Sequence, residues 1–259
     1  MGRLIEFSAN LGFLWTEKSL PDAIRAAKSA GFSAVECHWP YETSPELVRE
    51  ALDETDLPML GLNTIRGEAG QNGLAALPDR KDDARASIDQ AIEYALKIGA
   101  KNIHVMAGFN HTCDGRHAFI DNLEYACDQS SAHQLTILIE PLNEYDAPGY
   151  FLRTTQQAVE IIEDVGRANL KLMFDCYHVG RTEGDVTTRL KDLLPTIGHI
   201  QFASVPDRGT PDHGDLNYKE IFKAIENMGW DKPIGAEYKP TGLTSDSLNW
   251  MQAIHRSNC

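Results

Sequence analysis

The feature that most constrains this chain is an alternation. A short apolar run is followed by an amphipathic segment, eight times over, with no linker-like or low-complexity stretch between them. The runs are "LIEFSA", "AVECH", "MLGLN", "NIHVMA", "TILIE", "LKLMFD", "HIQFA" and "IGAEY". They are nearly continuous in apolar character, as parallel strands are when helices cover both faces of a sheet. The segments between them carry helix-end signals. Ser19 to Asp22 reads as a capping box, with Gly31 as a stop. Ser44-Pro45 is an N-cap followed by a first-turn proline, and Gly99 closes a stripe of Ile88, Ala91, Ile92, Ala95 and Leu96. Thr154 to Gln157 and Asn217 to Glu220 are further cap-like starts. A last helix is expected from about Thr244, carrying Leu248, Met251 and Ile254.

Eight such units in 259 residues predict a (β/α)8 TIM barrel, one domain spanning 1–259. A doubly wound sheet would want a glycine-rich turn after its first strand, and "SANLGFLW" has none. The glycines of "GEAGQNG" lie three apart in a long loop and read as flexibility, not as a phosphate cradle.

In such a barrel the chemistry sits where the strands end. The fifth strand ends in Glu140, the sixth in Asp175 and the eighth in Glu237, while the seventh carries Gln201. Four consecutive strands thus aim four oxygen-bearing side chains at one mouth. Buried carboxylates side by side cannot all stay ionised without compensation, and one unpaired buried charge costs several kcal/mol. A divalent cation is the natural partner. An all-oxygen set of Glu140, Asp175, Gln201 and Glu237 suits Mg²⁺ or Mn²⁺. Pro141, with no N–H to donate, ends strand pairing so that the chain can turn over the mouth.

Around this set, His178, Arg208, Lys239 and His104 are candidates for substrate contact. Each competes with an ordinary loop or barrel role. Glu36 ends the second strand, apart from the other acids, and reads as structural. Trp15 and Trp39 either wall the pocket or pack under loops. His213 and Asp146 read as bystanders. The loop from Asn63 to Pro78 is long for a barrel connection, and such loops are often lids.

Composition closes off other classes. The formal net charge is -14, from 38 acids against 24 Lys plus Arg, without a basic cluster, so nucleic acid is a poor partner. Five cysteines with no C-x-x-C pair argue for a reducing cytoplasm over a disulfide framework. No signal peptide or membrane-length apolar stretch is expected, and Gly2 lacks the Ser or Thr at position 6 that myristoylation wants.

With these residues in view, "SANLGFL", "LPDRKDD", "HVMAG", "IEPLN", "FDCYH", "GHIQFASVPDRGTPDHGDLNY" and "GAEYKPTG" together resemble the hydroxypyruvate isomerase family of xylose-isomerase-like barrels. The resemblance covers nearly the whole chain. It implies Glu140 and Glu237 as the acid/base pair, Asp175 and Gln201 as the remaining metal positions, and His178 and Arg208 as substrate-holding positions. It also implies a small-molecule substrate, hydroxypyruvate interconverting with tartronate semialdehyde, or a four-carbon 2-oxo acid handled by the same machinery. The family leans to dimers or tetramers. Ketose 3-epimerases usually place a histidine where this chain has Gln201, which argues against an epimerase. A DNA-repair nuclease on this barrel would need more His ligands and a basic face. A non-catalytic binder would not need paired glutamates beside a metal.

Overall fold

A computed structural model describes residues 5–68, 70–110 and 114–257; Met1, Gly2, Cys113 and Cys259 lie outside them. All eight expected strands form: β1 (Phe7–Asn10), β2 (Ala34–Glu36), β3 (Gly61–Asn63), β4 (Asn102–His104), β5 (Thr136–Ile139), β6 (Leu170–Asp175), β7 (Ile197–Phe202) and β8 (Ile234–Ala236). They are parallel, in the order β2-β1-β8-β7-β6-β5-β4-β3. The remaining seam is closed by the backbone of β2 and the approach to β3. Val35 N donates to Pro58 O at 3.0 Å, Leu60 N to Val35 O at 2.7 Å and Cys37 N to Gly61 O at 3.0 Å. The barrel therefore leaves no open edge at this seam.

The helices are α1 (Leu20–Ser29), α2 (Pro45–Thr55), α3 (Lys81–Ile98), α4 (Gly115–Ser131), α5 (Thr155–Val165), α6 (Cys176–Thr182), α7 (Val186–Leu193), α8 (Tyr218–Asn227) and α9 (Asn249–Ser257). The caps of Ser19, Thr154 and Asn217 accept from the backbone N–H three residues on, as their spacing predicts. Gly99 ends α3 at φ +73, a left-handed conformation that glycine adopts without strain. Two details differ from expectation. Ser44 bonds the Glu46 carboxylate instead of capping a backbone N–H. The last helix starts at Asn249, because the Thr244 hydroxyl is taken by Trp15 N at 2.7 Å and 244–247 winds as a 3-10 turn.

Strand side chains alternate between two environments. Outward residues pack under the helices: Phe7 meets Phe202, Phe222 and Trp250 edge-on at 5.7, 5.4 and 5.0 Å. Burying each such ring is worth about 2–3 kcal/mol, so this cluster clamps the first strand to the last two, where β1 joins β8 and β8 joins β7. Inward residues are unusually polar. An internal cavity is lined by Asn10, Glu36, Asn63, His104, His199 and Gln201, among others. The barrel is thus held by its apolar outer layer, and its interior is free to carry chemistry.

Candidate active site at the barrel mouth

Glu140 follows β5, Asp175 ends β6, Gln201 lies in β7 and Glu237 follows β8. β7 sits between β6 and β8, and Gln201 is in register with both Asp175 and Gly235. All four side chains are buried. The carboxylates of Glu140, Asp175 and Glu237 and a ring nitrogen of His178 each offer an atom within 4.8 Å of the others. The three carboxylates expected from the strand ends therefore converge, with His178 as the fourth member of the group, while the Gln201 amide bonds Glu36.

The three acids live in different surroundings. Glu237 is fully engaged. One oxygen accepts from Asn10 Nδ2 at 2.9 Å and lies 3.0 Å from His38 Nε2, and the other accepts from Arg208 Nη2. Burial raises its pKa, but the Arg208 guanidinium and His38 outweigh that and hold it well below the usual range. Glu140 has less help, since the Arg208 charge opposes its rise only in part. Its Oε1 is buried without a hydrogen-bond partner. Burial first, then the Glu237 and Asp175 carboxylates, push its pKa well above normal. Asp175 spends one oxygen capping α6, accepting Tyr177 N at 2.8 Å, while Oδ2 has no partner. Burial and then Glu237 raise it to about 8.

The histidines frame the same gap. His178 Nδ1 accepts Asn143 N at 3.0 Å, so the neutral ring carries its proton on Nε2. Asn143 Oδ1 takes Tyr145 N and Asp146 N, which turns its amide N–H toward the same Nδ1. His178 Nε2 then faces Glu140 at 3.8 Å and Asp175 at 3.7 Å, too far for a hydrogen bond to either. His178 is thereby a donor and a poor metal ligand. His104 Nδ1 stands 3.6 Å from Glu140, and neither of its nitrogens has a hydrogen-bond partner. Burial lowers both histidines to about 3, so both are neutral. His104 is thus no satisfied barrel histidine; it waits on a ligand.

Buried polar atoms without partners on Glu140, Asp175, Gln201 and His104 are the strongest local sign of a ligand. Glu140 Oε1, Asp175 Oδ2 and Gln201 Oε1 are all acceptors. An oxygen set with acceptors to spare fits a hard divalent cation, and these residues could hold one.

Arg208 comes from the β7–α8 loop at φ +58, a strained conformation for a non-glycine residue, of order 1 kcal/mol. It is seated between Phe13 and Tyr177, with Cζ 4.7 and 4.9 Å from their rings. It bonds Glu237 and lies 3.3 Å from Asp146 and 3.7 Å from Asp175. Nε approaches Glu237 O at 3.4 Å. Every nitrogen of its fork thus already has a protein acceptor. Burial alone would lower its pKa, but the surrounding carboxylates raise it above its usual value. Lys239 is exposed at the rim, its Nζ 5.6 Å from the Phe13 ring, and no ion pair holds it among the described residues.

Several sequence expectations need correcting. Asp146 is no bystander, since it pairs with Arg208. Glu36 is not apart from the other acids: Asn10 Nδ2 bridges Glu36 at 3.1 Å and Glu237 at 2.9 Å. His38 and Asn10 were missed altogether, although both end strands, and polar residues at strand ends were the signal already in use. Trp15 packs against Phe32 under the loops, whereas Trp39 stands at the rim, its ring under Arg66 at 4.7 Å. His213 is exposed and pairs with Asp207 at 2.8 Å. In the long loop, Ala75 N and Ala76 N donate to Met106 O and Ala107 O at 3.3 and 2.7 Å, so its second half is pinned to the end of β4.

The site is thus a (β/α)8 barrel mouth with buried carboxylates from the ends of β5, β6 and β8 beside two buried histidines. The chain belongs to the xylose isomerase-like TIM barrel family, whose model matches residues 24–254. It is 43% identical to the 2-oxo-tetronate isomerase of Cupriavidus necator, over 95% of this chain and 97% of that one. It is 36% identical to the hydroxypyruvate isomerase of Escherichia coli, over 96% and 98%. A crystal structure described as an AP endonuclease, family 2, from Brucella melitensis superposes with a TM-score of 0.93 at 34% identity, covering 96% of this chain and 99% of that one. The chain is an isomerase of this family. Among the described residues no helix is long and apolar enough to cross a membrane.

Proposed function

We propose that the chain isomerises a short 2-oxo acid by moving a proton between neighbouring carbons, with Glu140 and Glu237 as the acid/base pair. Hydroxypyruvate going to tartronate semialdehyde and a four-carbon 2-oxo acid going to its 3-oxo isomer are the two reactions in range. The 43% identity to a 2-oxo-tetronate isomerase favours the four-carbon acid. The observation that carries the reading is the contrast between the two glutamates across one gap. Glu237 is tied by three donors, while Glu140 keeps one oxygen bound by none. Glu140 is therefore the better placed to take the first proton, and Glu237 to balance the charge and serve the second carbon.

Glu140, Asp175, Gln201 and Glu237 would hold Mg²⁺ or Mn²⁺. When bound, the cation supplies Lewis-acid stabilisation for the negative charge that develops on the substrate oxygens. The N–H of His178 Nε2 and the His104 ring donate to the same oxygens and orient them. Arg208, already committed to Glu237 and Asp146, sets the local potential. Lys239, a cation beside Phe13 that no ion pair holds among the described residues, meets the substrate carboxylate. Phe13, between the two cations, walls that side.

The test is a panel of three- and four-carbon 2-oxo acids beside neutral ketohexoses, assayed with added Mg²⁺ or Mn²⁺ and with chelator. Turnover of the acids, with solvent deuterium entering the product, supports the reading. Turnover of ketohexoses alone would replace it with a 3-epimerase.

A further inference from the structure

The cluster beneath the mouth has no part in the chemistry so far. Glu36 is buried at the barrel centre. Its carboxylate accepts from Ser8 Oγ at 3.3 Å, Asn10 Nδ2 at 3.1 Å and Gln201 Nε2 at 2.9 Å, and it also bonds His199 Nε2. It reaches these partners across the bare backbone of Gly235. A Cβ there would lie 2.5 Å from Glu36 Oε1 and 2.8 Å from Gln201 Cγ.

A primary amide has two nearly isosteric ends, and only its hydrogen bonds decide which one faces a given neighbour. A carboxylate accepts and cannot donate. Glu36 therefore takes the NH2 end of Gln201 and leaves Oε1 buried with no partner, on the strand that lies between those of Asp175 and Gly235. The same carboxylate steadies Asn10, whose N–H also reaches Glu237 and whose Oδ1 is held by Gly12 N at 2.9 Å.

We propose that Glu36 is a positioning residue. It fixes the Gln201 amide with its oxygen toward the carboxylates, and thereby sets the cation affinity of the site. The inference rests on the reading that this cluster binds a divalent cation. It adds a residue that touches neither cation nor substrate. A role limited to filling the barrel would give Glu36 no say in which end of Gln201 faces the site.

The experiment is Mn²⁺ titration of the chelator-stripped full chain, with free Mn²⁺ read by electron paramagnetic resonance at one pH. Thermal melts in chelator run alongside. Glu36→Gln offers both a donor and an acceptor, lets Gln201 turn, and weakens Mn²⁺ binding by about 10–100-fold, the usual effect of losing a supporting shell. Gln201→Glu sets two carboxylates against each other and also weakens it. The double variant, Glu36→Gln with Gln201→Glu, restores binding to near wild type, because an amide at 36 now donates to a carboxylate at 201. Because the double variant is compared with Gln201→Glu, the test holds even if Glu36→Gln alone folds poorly. A double variant binding no better than Gln201→Glu, or a well-folded Glu36→Gln binding as wild type does, would overturn the role of Glu36. Failure of the wild type itself to bind Mn²⁺ would overturn the cation reading, and this inference with it.

Discussion

Replacing Glu140 by Gln should make the metal-free protein more stable while abolishing turnover. The two side chains are nearly isosteric, so packing is conserved. In the folded protein the Glu140 carboxyl holds its proton well above the usual carboxylate range, through burial and the neighbouring acids. Its neighbours within 3.6 and 3.8 Å are histidines that burial keeps neutral, so neither offers a charge to oppose it. A raised folded pKa contributes stability that is full below the unfolded value of 4.5 and is lost as pH rises through the folded value. Gln has no such dependence. An unsatisfied buried acceptor costs about 1–3 kcal/mol. With about 2–4 °C in Tm per kcal/mol for a chain near this size, the variant should melt about 2–12 °C above wild type near pH 8. Near pH 5 the gap should shrink toward zero. The assay is thermal unfolding in chelator at both pH values. Loss of a proton-transfer group should cost turnover about 10²–10⁴-fold. A stability gap independent of pH, or a variant less stable at pH 8, would refute the picture of a strained, uncompensated carboxyl.

Cation binding should tighten with pH. Asp175 holds its proton up to about 8 and Glu140 holds its own well above the usual range, so a cation must displace both, and Mn²⁺ affinity measured by calorimetry should rise at least about tenfold per pH unit from about pH 6 toward 8. A flat profile would contradict the assigned protonation. Lys239→Met should raise KM for the 2-oxo acid about 10–100-fold, the range for a charge-assisted hydrogen bond, with kcat and Tm little changed; an unchanged KM would remove Lys239 from the site. Gly235→Ala should destabilise the fold by about 1–3 kcal/mol, because its methyl would meet Glu36 Oε1 at 2.5 Å, as seen in urea unfolding. A neutral substitution would mean that Glu36 and Gln201 can part without cost.

The barrel was legible because strands buried on both faces leave an unmistakable apolar run. Glu140, Asp175 and Glu237 broke three such runs at the same end. Neighbouring strands need no further information to meet, so their convergence followed. Glu36, Asn10 and His38 were harder. They end β1 and β2, which meet β8 and β7 only after the sheet has curled shut, a contact over about two hundred residues that no local pattern encodes. Period two did carry a hint. Ser8 and Asn10, Glu36, and His199 and Gln201 are the polar members of alternating strands, and they all face inward. Asp146 escaped for another reason: it lies in an irregular loop, and nothing before folding pairs it with Arg208 some sixty positions on.

The polar plug formed by Glu36, His199, Gln201 and their donors also has a bearing on substrate length. It lines the lower end of the pocket with polar groups that are mostly engaged with one another, so an added apolar carbon gains nothing by burrowing deeper. Added carbons are then directed upward, toward Phe13 and Trp39. Swapping those crest residues, and leaving the staves untouched, is therefore the way to alter the substrate length this site accepts.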